Sequence, residues 1–104
     1  MAERERGVYA GFIRLHILHH AAEGEIFGLG IIEELRRHGY NLSPGTLYPI
    51  LHRMEELGQL KALVRMARGH RRVTYRITNK GLKTLVEAKA RLKELFGELF
   101  EKEG

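Results

Sequence analysis

Apolar residues recur at three- and four-residue steps along the first half of the chain, which is the period of an amphipathic helix. This spacing predicts a first helix from about Val8 to Ala22 and a second from Phe27 to His38, which Gly39 ends. A third helix begins at Ser43, whose hydroxyl is expected to cap the free amides at its start, and ends before Gly58. Its buried stripe is expected to contain Leu47, Ile50, Leu51, Met54 and Leu57.

The hydrophobic period changes to two after the third helix. Residues 60–66 and 72–77 alternate apolar with basic or polar side chains, which predicts two strands. Between them lies the loop Ala67-Arg68-Gly69-His70, where Gly69 can adopt positive φ, so the two strands are expected to form a hairpin. The outward positions of this hairpin tend to be basic, namely Lys61, Arg65, Arg72 and Arg76.

Thr78 is expected to cap a last helix that runs to about Lys102. Three helices, a basic hairpin and a further helix predict a mainly α protein with a small β-hairpin, arranged as a winged helix-turn-helix. We expect residues 1–78 to form a nucleic-acid-binding domain and residues 79–104 a C-terminal dimerisation helix, both within one compact unit.

The apolar stripe of the last helix is longer than the rest of the predicted fold can cover. A second copy of the chain would bury its far end, so the pattern favours a homodimer. A stripe used only in the intramolecular core, or on a membrane surface, is less favoured, the latter because the flanking charges are mixed. The residues expected in the dimer contact are Leu85, Leu92, Leu95, Phe96, Leu99 and Phe100.

Positive charge is concentrated in one stretch of the 104-residue chain. The whole sequence has 18 Lys and Arg against 13 acidic residues, for a net charge of +5. Residues 57–86 contain eight of the basic residues and no acid. Solvated surfaces usually mix both signs, so this stretch favours a polyanionic partner. Charge alone does not distinguish DNA from RNA, and a winged-helix module that binds a protein remains an alternative.

The composition argues against an enzyme. The sequence has no Cys, no Asp and a single Ser, which excludes a Ser-His-Asp triad, a cysteine nucleophile, a disulfide framework and a Cys-ligated zinc site. His16, His19 and His20 have spacing that a metal could use, but ordinary packing is favoured, so we expect no metal and no cofactor. No signal-peptide core or apolar run of about 18 residues is found, which favours a cytoplasmic protein without membrane attachment.

The third helix and the hairpin together resemble a known family. The residues that carry the likeness are the run SPGTLYPILHRMEELG from Ser43 to Gly58, followed by Tyr75-Arg76-Ile77-Thr78 and Gly81. Over about residues 12 to 86 the sequence is similar to the PadR family of transcriptional regulators. The resemblance implies a dimeric repressor that uses its third helix in the major groove and its wing on the adjacent backbone or minor groove. It also implies a phenolic or other hydrophobic effector.

A double-stranded DNA operator, expected to be palindromic, is therefore the favoured partner of a homodimer. Phosphate neutralisation would provide most of the affinity, and base-edge contacts from the third helix would provide selectivity. The residues expected to contact DNA are Ser43, Thr46, Tyr48, His52 and Arg53 on the third helix and Arg68, Arg71 and Arg72 on the wing.

Overall fold

The computed structural model describes the backbone of residues 3–101 and the side chains of residues 7–101. The elements, in chain order, are α1 Glu3–Glu23, α2 Gly28–Arg37, α3 Pro44–Glu56, β1 Leu60–Ala67, β2 His70–Ile77 and α4 Asn79–Leu99. The predicted fold class is confirmed. The predicted start of the first helix was wrong, because α1 begins at Glu3 rather than near Val8, and α4 ends at Leu99. The predicted end at Lys102 lies outside the described residues.

One apolar core joins the first three helices to the base of the hairpin. Ile13 and Ile17 of α1 and Leu35 of α2 have no exposed surface. The stripe predicted on α3 also points into this core, where Leu47, Leu51 and Met54 are fully buried and Ile50 and Leu57 are half-buried. Burial of a side chain such as leucine contributes about 1.5–3 kcal/mol, so this cluster fixes α3 against α1 and α2.

Glycines end α2 and α3 in the same way. At α3, Gly58 has φ 78°, its amide donates to the carbonyl of Glu55, and the next amide, of Gln59, donates to Met54. Gly39 has φ 89° and ends α2 with the equivalent pair of hydrogen bonds. This pair of hydrogen bonds satisfies the last carbonyls of a helix. It requires a residue in the left-handed conformation, which glycine adopts without steric cost. Both predicted helix ends are confirmed.

The two predicted caps differ in outcome. Thr78 caps α4 as expected, since its hydroxyl accepts from the amide of Gly81 at 3.0 Å and donates to the carbonyl of Gly58 at 2.5 Å. Ser43 occupies the cap position of α3, but its hydroxyl makes no capping hydrogen bond. It donates instead to the hydroxyl of Thr46 at 3.3 Å. The cap prediction for the Ser43 side chain was therefore wrong.

The hairpin is longer and its turn tighter than predicted. β1 and β2 are antiparallel, and their register pairs Leu60 with Ile77 at the base and Ala67 with His70 at the tip. Only Arg68 and Gly69 remain in the turn, with φ values of 52° and 78°. Two central residues of positive φ match the right-handed twist of paired strands, which explains the compact turn.

An isolated β-bridge between Ile26, in the segment after α1, and Tyr75 of β2 explains why the base of the hairpin does not follow simple alternation. The amide of Ile26 donates to the carbonyl of Tyr75 at 2.9 Å, and the amide of Tyr75 donates back at 2.8 Å. Thr74 and Tyr75 are both buried, although the period of two predicted only one of them inward. Towards the tip of the hairpin, the alternation predicted that Val64 and Met66 point inward, but both side chains are exposed.

The shape of the chain is elongated. Its radius of gyration is 15.1 Å, whereas a compact domain of this length has about 13 Å. Helix α4 contacts α1 and β2, and at about 1.5 Å per residue its 21 residues extend about 32 Å. Within residues 3–101, no helix combines the length and apolar character needed to span a membrane.

Candidate nucleic-acid interface

A cleft of about 870 Å³ separates α3 from the wing, the hairpin formed by β1 and β2. Five of the eight residues predicted to contact DNA line it. Tyr48 and His52 come from α3, and Arg68, Arg71 and Arg72 come from the wing. The structure therefore places the predicted helix and wing residues around one concave surface, although residues 48 and 72 lie far apart in the sequence.

Tyr48 lies across the beginning of α2 because residue 28 is a glycine. A Cβ atom built on Gly28 would overlap the Tyr48 hydroxyl, so any other residue would displace the ring. The ring of Tyr48 also lies near that of His52 one turn further along α3, with 6.4 Å between the ring centroids. Tyr48 remains 36% exposed, which leaves one edge of its ring open to the cleft.

The other three predicted residues on α3 do not line the cleft. Ser43 is exposed, and its hydroxyl bonds to the half-buried Thr46. Arg53 is exposed in the last turn of α3. These side chains lie at the start and end of α3, so contact with a ligand in the cleft would require a partner long enough to extend along the whole helix.

The wing places like charges directly opposite one another. The strand register pairs Lys61 with Arg76 and Arg65 with Arg72. All four predicted outward cations are exposed, as expected. Like charges at opposite positions destabilise a strand pair, so this face of the wing requires either a counter-charge or an anionic partner.

Glu25, in the segment between α1 and α2, supplies that counter-charge. Its carboxylate accepts from Arg65 Nε at 2.9 Å and Nη2 at 2.6 Å, and from the Thr74 hydroxyl at 2.6 Å. The hydrogen bonds from Arg65 and Thr74 lower the pKa of Glu25 from 4.5 to about 2. This contact joins the wing to the helical core. Among the cations that the sequence predicted to point outward, Arg65 therefore forms an ion pair within the chain.

Arg72 is held by a different contact. Its guanidinium carbon lies 4.4 Å from the ring centroid of Phe27, a cation–π geometry. Sequence reasoning missed both Glu25 and Phe27 as wing-positioning residues. The only signal for Glu25 was its position shortly before an acid-free basic stretch, and no local pattern pairs residues 40 positions apart.

The inner part of the cleft is less basic than its wing side. Glu55 lines it together with Tyr75, which is buried. Burial, followed by the electrostatic effect of Glu55 and then of Tyr48, raises the pKa of Tyr75 above its usual value. An anionic backbone is therefore favoured along the wing side of the cleft, where the arginines lie, and disfavoured beside Glu55.

The predicted dimerisation residues divide into two groups. Leu85 is partly buried and packs against the core of its own chain. The others are exposed on the second half of α4 and at Phe100, the residue that follows it, with Leu92 the least exposed at 37% and Phe100 the most at 59%. The phenyl rings of Phe96 and Phe100 lie 4.9 Å apart. A groove of about 390 Å³ between α1 and α4 adjoins this surface and is lined by Val8, Gly11, Phe12, Leu15, Ala88, Arg91 and Leu92.

Comparisons with known proteins agree with this architecture. Residues 17–87 match the model of the transcriptional regulator PadR-like family. The chain is 49% identical over 87 residues to the transcriptional regulator Rv3488 of Mycobacterium tuberculosis, covering 84% of this chain and 81% of that protein. It is also similar to a PadR family transcriptional regulator from Eggerthella lenta, with a TM-score of 0.79, 26% identity and coverage of 91% and 84% of the two chains. A PadR-like regulator from Bacillus cereus has a TM-score of 0.75, 28% identity and coverage of 92% and 91%.

Proposed function

This chain belongs to the PadR-like family of transcriptional regulators, and on that premise we propose that it is a homodimeric repressor that binds a palindromic DNA operator. The observation that carries the proposal is the cleft in which Tyr48 and His52 of α3 face the wing arginines. A helix of this width fits the major groove, and a flanking basic hairpin can follow the adjacent phosphates.

Recognition would divide between the two sides of the cleft. On α3, the exposed Tyr48, His52 and Arg53 and the half-buried Thr46 are the candidates for contacts with base edges and nearby phosphates. The side chain of Ser43 does not cap α3, so the positive end of the helix dipole is free to attract a phosphate. On the wing, Arg68, Arg71 and Arg72 neutralise the backbone, because no acidic residue occurs between residues 57 and 86.

Dimerisation would bury the exposed apolar stripe on the second half of α4. Over about two helical turns, the side chains of Leu92, Leu95, Phe96, Leu99 and Phe100 are exposed to solvent. Soluble proteins rarely expose contiguous apolar patches of this kind unless a partner covers them. A second copy fits because paired copies of α4 related by a twofold axis would place two α3 helices on one side of the dimer, as a palindromic operator requires.

A small hydrophobic or phenolic effector would bind in the groove between α1 and α4. The groove is large enough for an aromatic ring and combines apolar side chains such as Phe12 and Leu92 with the cationic Arg91. A ligand there would contact both helices and change the angle between them. Since α4 forms the proposed dimer contact, such a change would alter the spacing of the two α3 helices and release DNA.

The wing assignment is tested by the double variant Arg71→Ala/Arg72→Ala in a salt titration of DNA binding. Each lost phosphate contact lowers the slope of log K against log salt by about 0.9, so we expect weaker binding to every DNA sequence and a slope reduced by about 1.8. Operator DNA selected from random duplexes supplies the probe, and structured RNA serves as competitor.

The matched control is Arg36→Ala/Lys93→Ala, which removes two exposed positive charges outside the basic stretch. This control should leave the slope close to that of the wild type. An unchanged slope in the wing variant would refute the assignment of Arg71 and Arg72 to phosphate contacts. Displacement of the duplex by structured RNA at equal concentration would refute a DNA partner.

A further inference from the structure

Three histidines from two helices meet on the side of the molecule formed by α1 and α2. His16 and His20 are four residues apart on α1, and His38 is the residue that ends α2. One ring nitrogen from each lies within 4.8 Å of the other two. The rings of His16 and His38 are stacked with centroids 4.4 Å apart. Sequence reasoning favoured packing for the histidines of α1, and it could not foresee that His38 would join them.

A carboxylate completes the cluster. Glu34 Oε1 lies 3.5 Å from His20 Nε2 and 3.6 Å from His38 Nε2. A tetrahedral zinc ion with bonds of about 2.0–2.1 Å separates its ligand atoms by about 3.3–3.4 Å. The two distances from Glu34 Oε1 therefore differ from this separation by only a few tenths of an ångström. The nitrogens of His16, His20 and His38, which lie within 4.8 Å of one another, would approach by at most about 1.5 Å to hold such an ion.

The orientation of Glu34 is set from outside the cluster. Arg37 Nη1 donates to Glu34 Oε2 at 3.0 Å. The second oxygen, Oε1, is thereby left facing His20 and His38. Hydrogen bonds of this kind, which hold a carboxylate in place through the oxygen that does not bind metal, are a regular feature of metal sites.

The buried nitrogen of His20 argues for a ligand rather than for packing alone. His20 Nε2 is buried and has no hydrogen-bond partner among the described residues, because its approach to Glu34 does not meet the geometry of a hydrogen bond. A buried polar atom without a partner destabilises the folded protein, and a metal ion would satisfy it. Access is open, since His20 and Glu34 also line a pocket of about 320 Å³ on the surface.

We propose that His16, His20, His38 and Glu34 form a binding site for a divalent transition-metal ion such as Zn²⁺, which would join α1 to the end of α2. Imidazole nitrogen with one carboxylate oxygen is a donor set that suits zinc, nickel and cobalt rather than calcium or magnesium. A second group, His19, His20 and Glu23, shares one residue with this site and is the rival location.

Calorimetric titration of the full-length protein with Zn²⁺, repeated in competition with a chromophoric chelator, tests the site. We expect one ion per chain and a rise in the midpoint of thermal unfolding when Zn²⁺ is added. His38→Gln and Glu34→Gln should each weaken Zn²⁺ binding at least about tenfold, and His20→Gln at least about a hundredfold. His38 is exposed, so its substitution is expected to preserve the fold, which circular dichroism checks.

His19→Gln is the matched control, because it removes a histidine of the rival group and leaves the proposed ligands in place. Its Zn²⁺ affinity should equal that of the wild type, and Co²⁺ bound to both should give the intense visible bands of four-coordinate cobalt. The proposal is overturned if no Zn²⁺ binds, or if His19→Gln abolishes binding while a folded His38→Gln variant retains it.

Discussion

Helices α3 and α4 have apolar stripes with the same spacing, yet the stripe on α3 is buried within its own chain and the stripe on the second half of α4 is exposed. On α3, Leu47, Leu51 and Met54 are fully buried within their own chain. On the second half of α4 and at Phe100, which follows it, leucines and phenylalanines at equivalent steps are 37–59% exposed. Periodicity therefore shows that a helix has an apolar face, but it does not show whether that face is covered by the same chain. The difference separates a stripe that maintains the fold from one that is available for association.

The largest expected effect on stability comes from shortening a leucine side chain in the buried stripe of α3. Leu51→Ala should lower the free energy of unfolding by about 2–5 kcal/mol, because the side chain is fully buried and leaves a cavity. Urea unfolding measures this loss, and its size should be the same at low and high protein concentration. The comparison variant Leu95→Ala, at 43% exposure, should have an effect that grows with protein concentration, since its stabilisation comes from a second chain. If both variants lost the same free energy of unfolding at every protein concentration, the contrast between the stripes of α3 and α4 would be contradicted.

A charge placed on the exposed stripe should break the proposed dimer without unfolding the chain. Leu99→Glu would bury a carboxylate between two copies of α4, so we expect the dissociation constant of the dimer to rise at least about a hundredfold. Sedimentation equilibrium measures the change. Ala90→Glu introduces the same charge at an exposed position on the opposite face of α4 and should leave the dimer intact. A Leu99→Glu protein that sediments as a dimer like the wild type would exclude this surface as the contact.

The smallest expected effect concerns the attachment of the wing to the core. The folded-state pKa of Glu25 is lowered from 4.5 to about 2, so its contacts with Arg65 and Thr74 stabilise the protein above about pH 4.5. Glu25→Gln should therefore be less stable than the wild type at neutral pH, and the difference should shrink as the pH falls from 4.5 towards 2. Urea unfolding at a series of pH values provides the measurement. Glu33→Gln, an exposed carboxylate on α2, is the control, and identical pH profiles for the two variants would disprove the role of Glu25.

Most of the fold could be predicted because its signals are local. The glycine ends of α2 and α3, the threonine cap of α4 and the buried stripe of α3 each depend on residues within about one helical turn. The wing was predicted less well. Its turn is shorter than expected because Arg68 accepts positive φ, and Thr74 is buried because the segment after α1 covers it. Alternation within a strand carries no information about which distant segment packs against it.

Only some residues of the candidate DNA-binding surface could be predicted from the sequence. Tyr48, His52 and the wing arginines were identified from the family motif and the acid-free basic stretch, and the structure brings them to one cleft. Glu25 and Phe27, which hold Arg65 and Arg72, were not identified. Their contacts join residues about 40 positions apart, and no residue near them in the sequence requires such a contact.

By itself, the sequence determined the order of the helices and strands, the apolar face of each helix and the location of the positive charge, because these follow from side chains a few positions apart. Tertiary structure decided which apolar face remained exposed, which cation formed an ion pair with a distant acid, and which histidines lie together. Each of these outcomes depends on distances between segments that are remote in the chain. Such distances are fixed only when the buried core sets the angles between the helices, and His38 beside His16 and His20 is the clearest case.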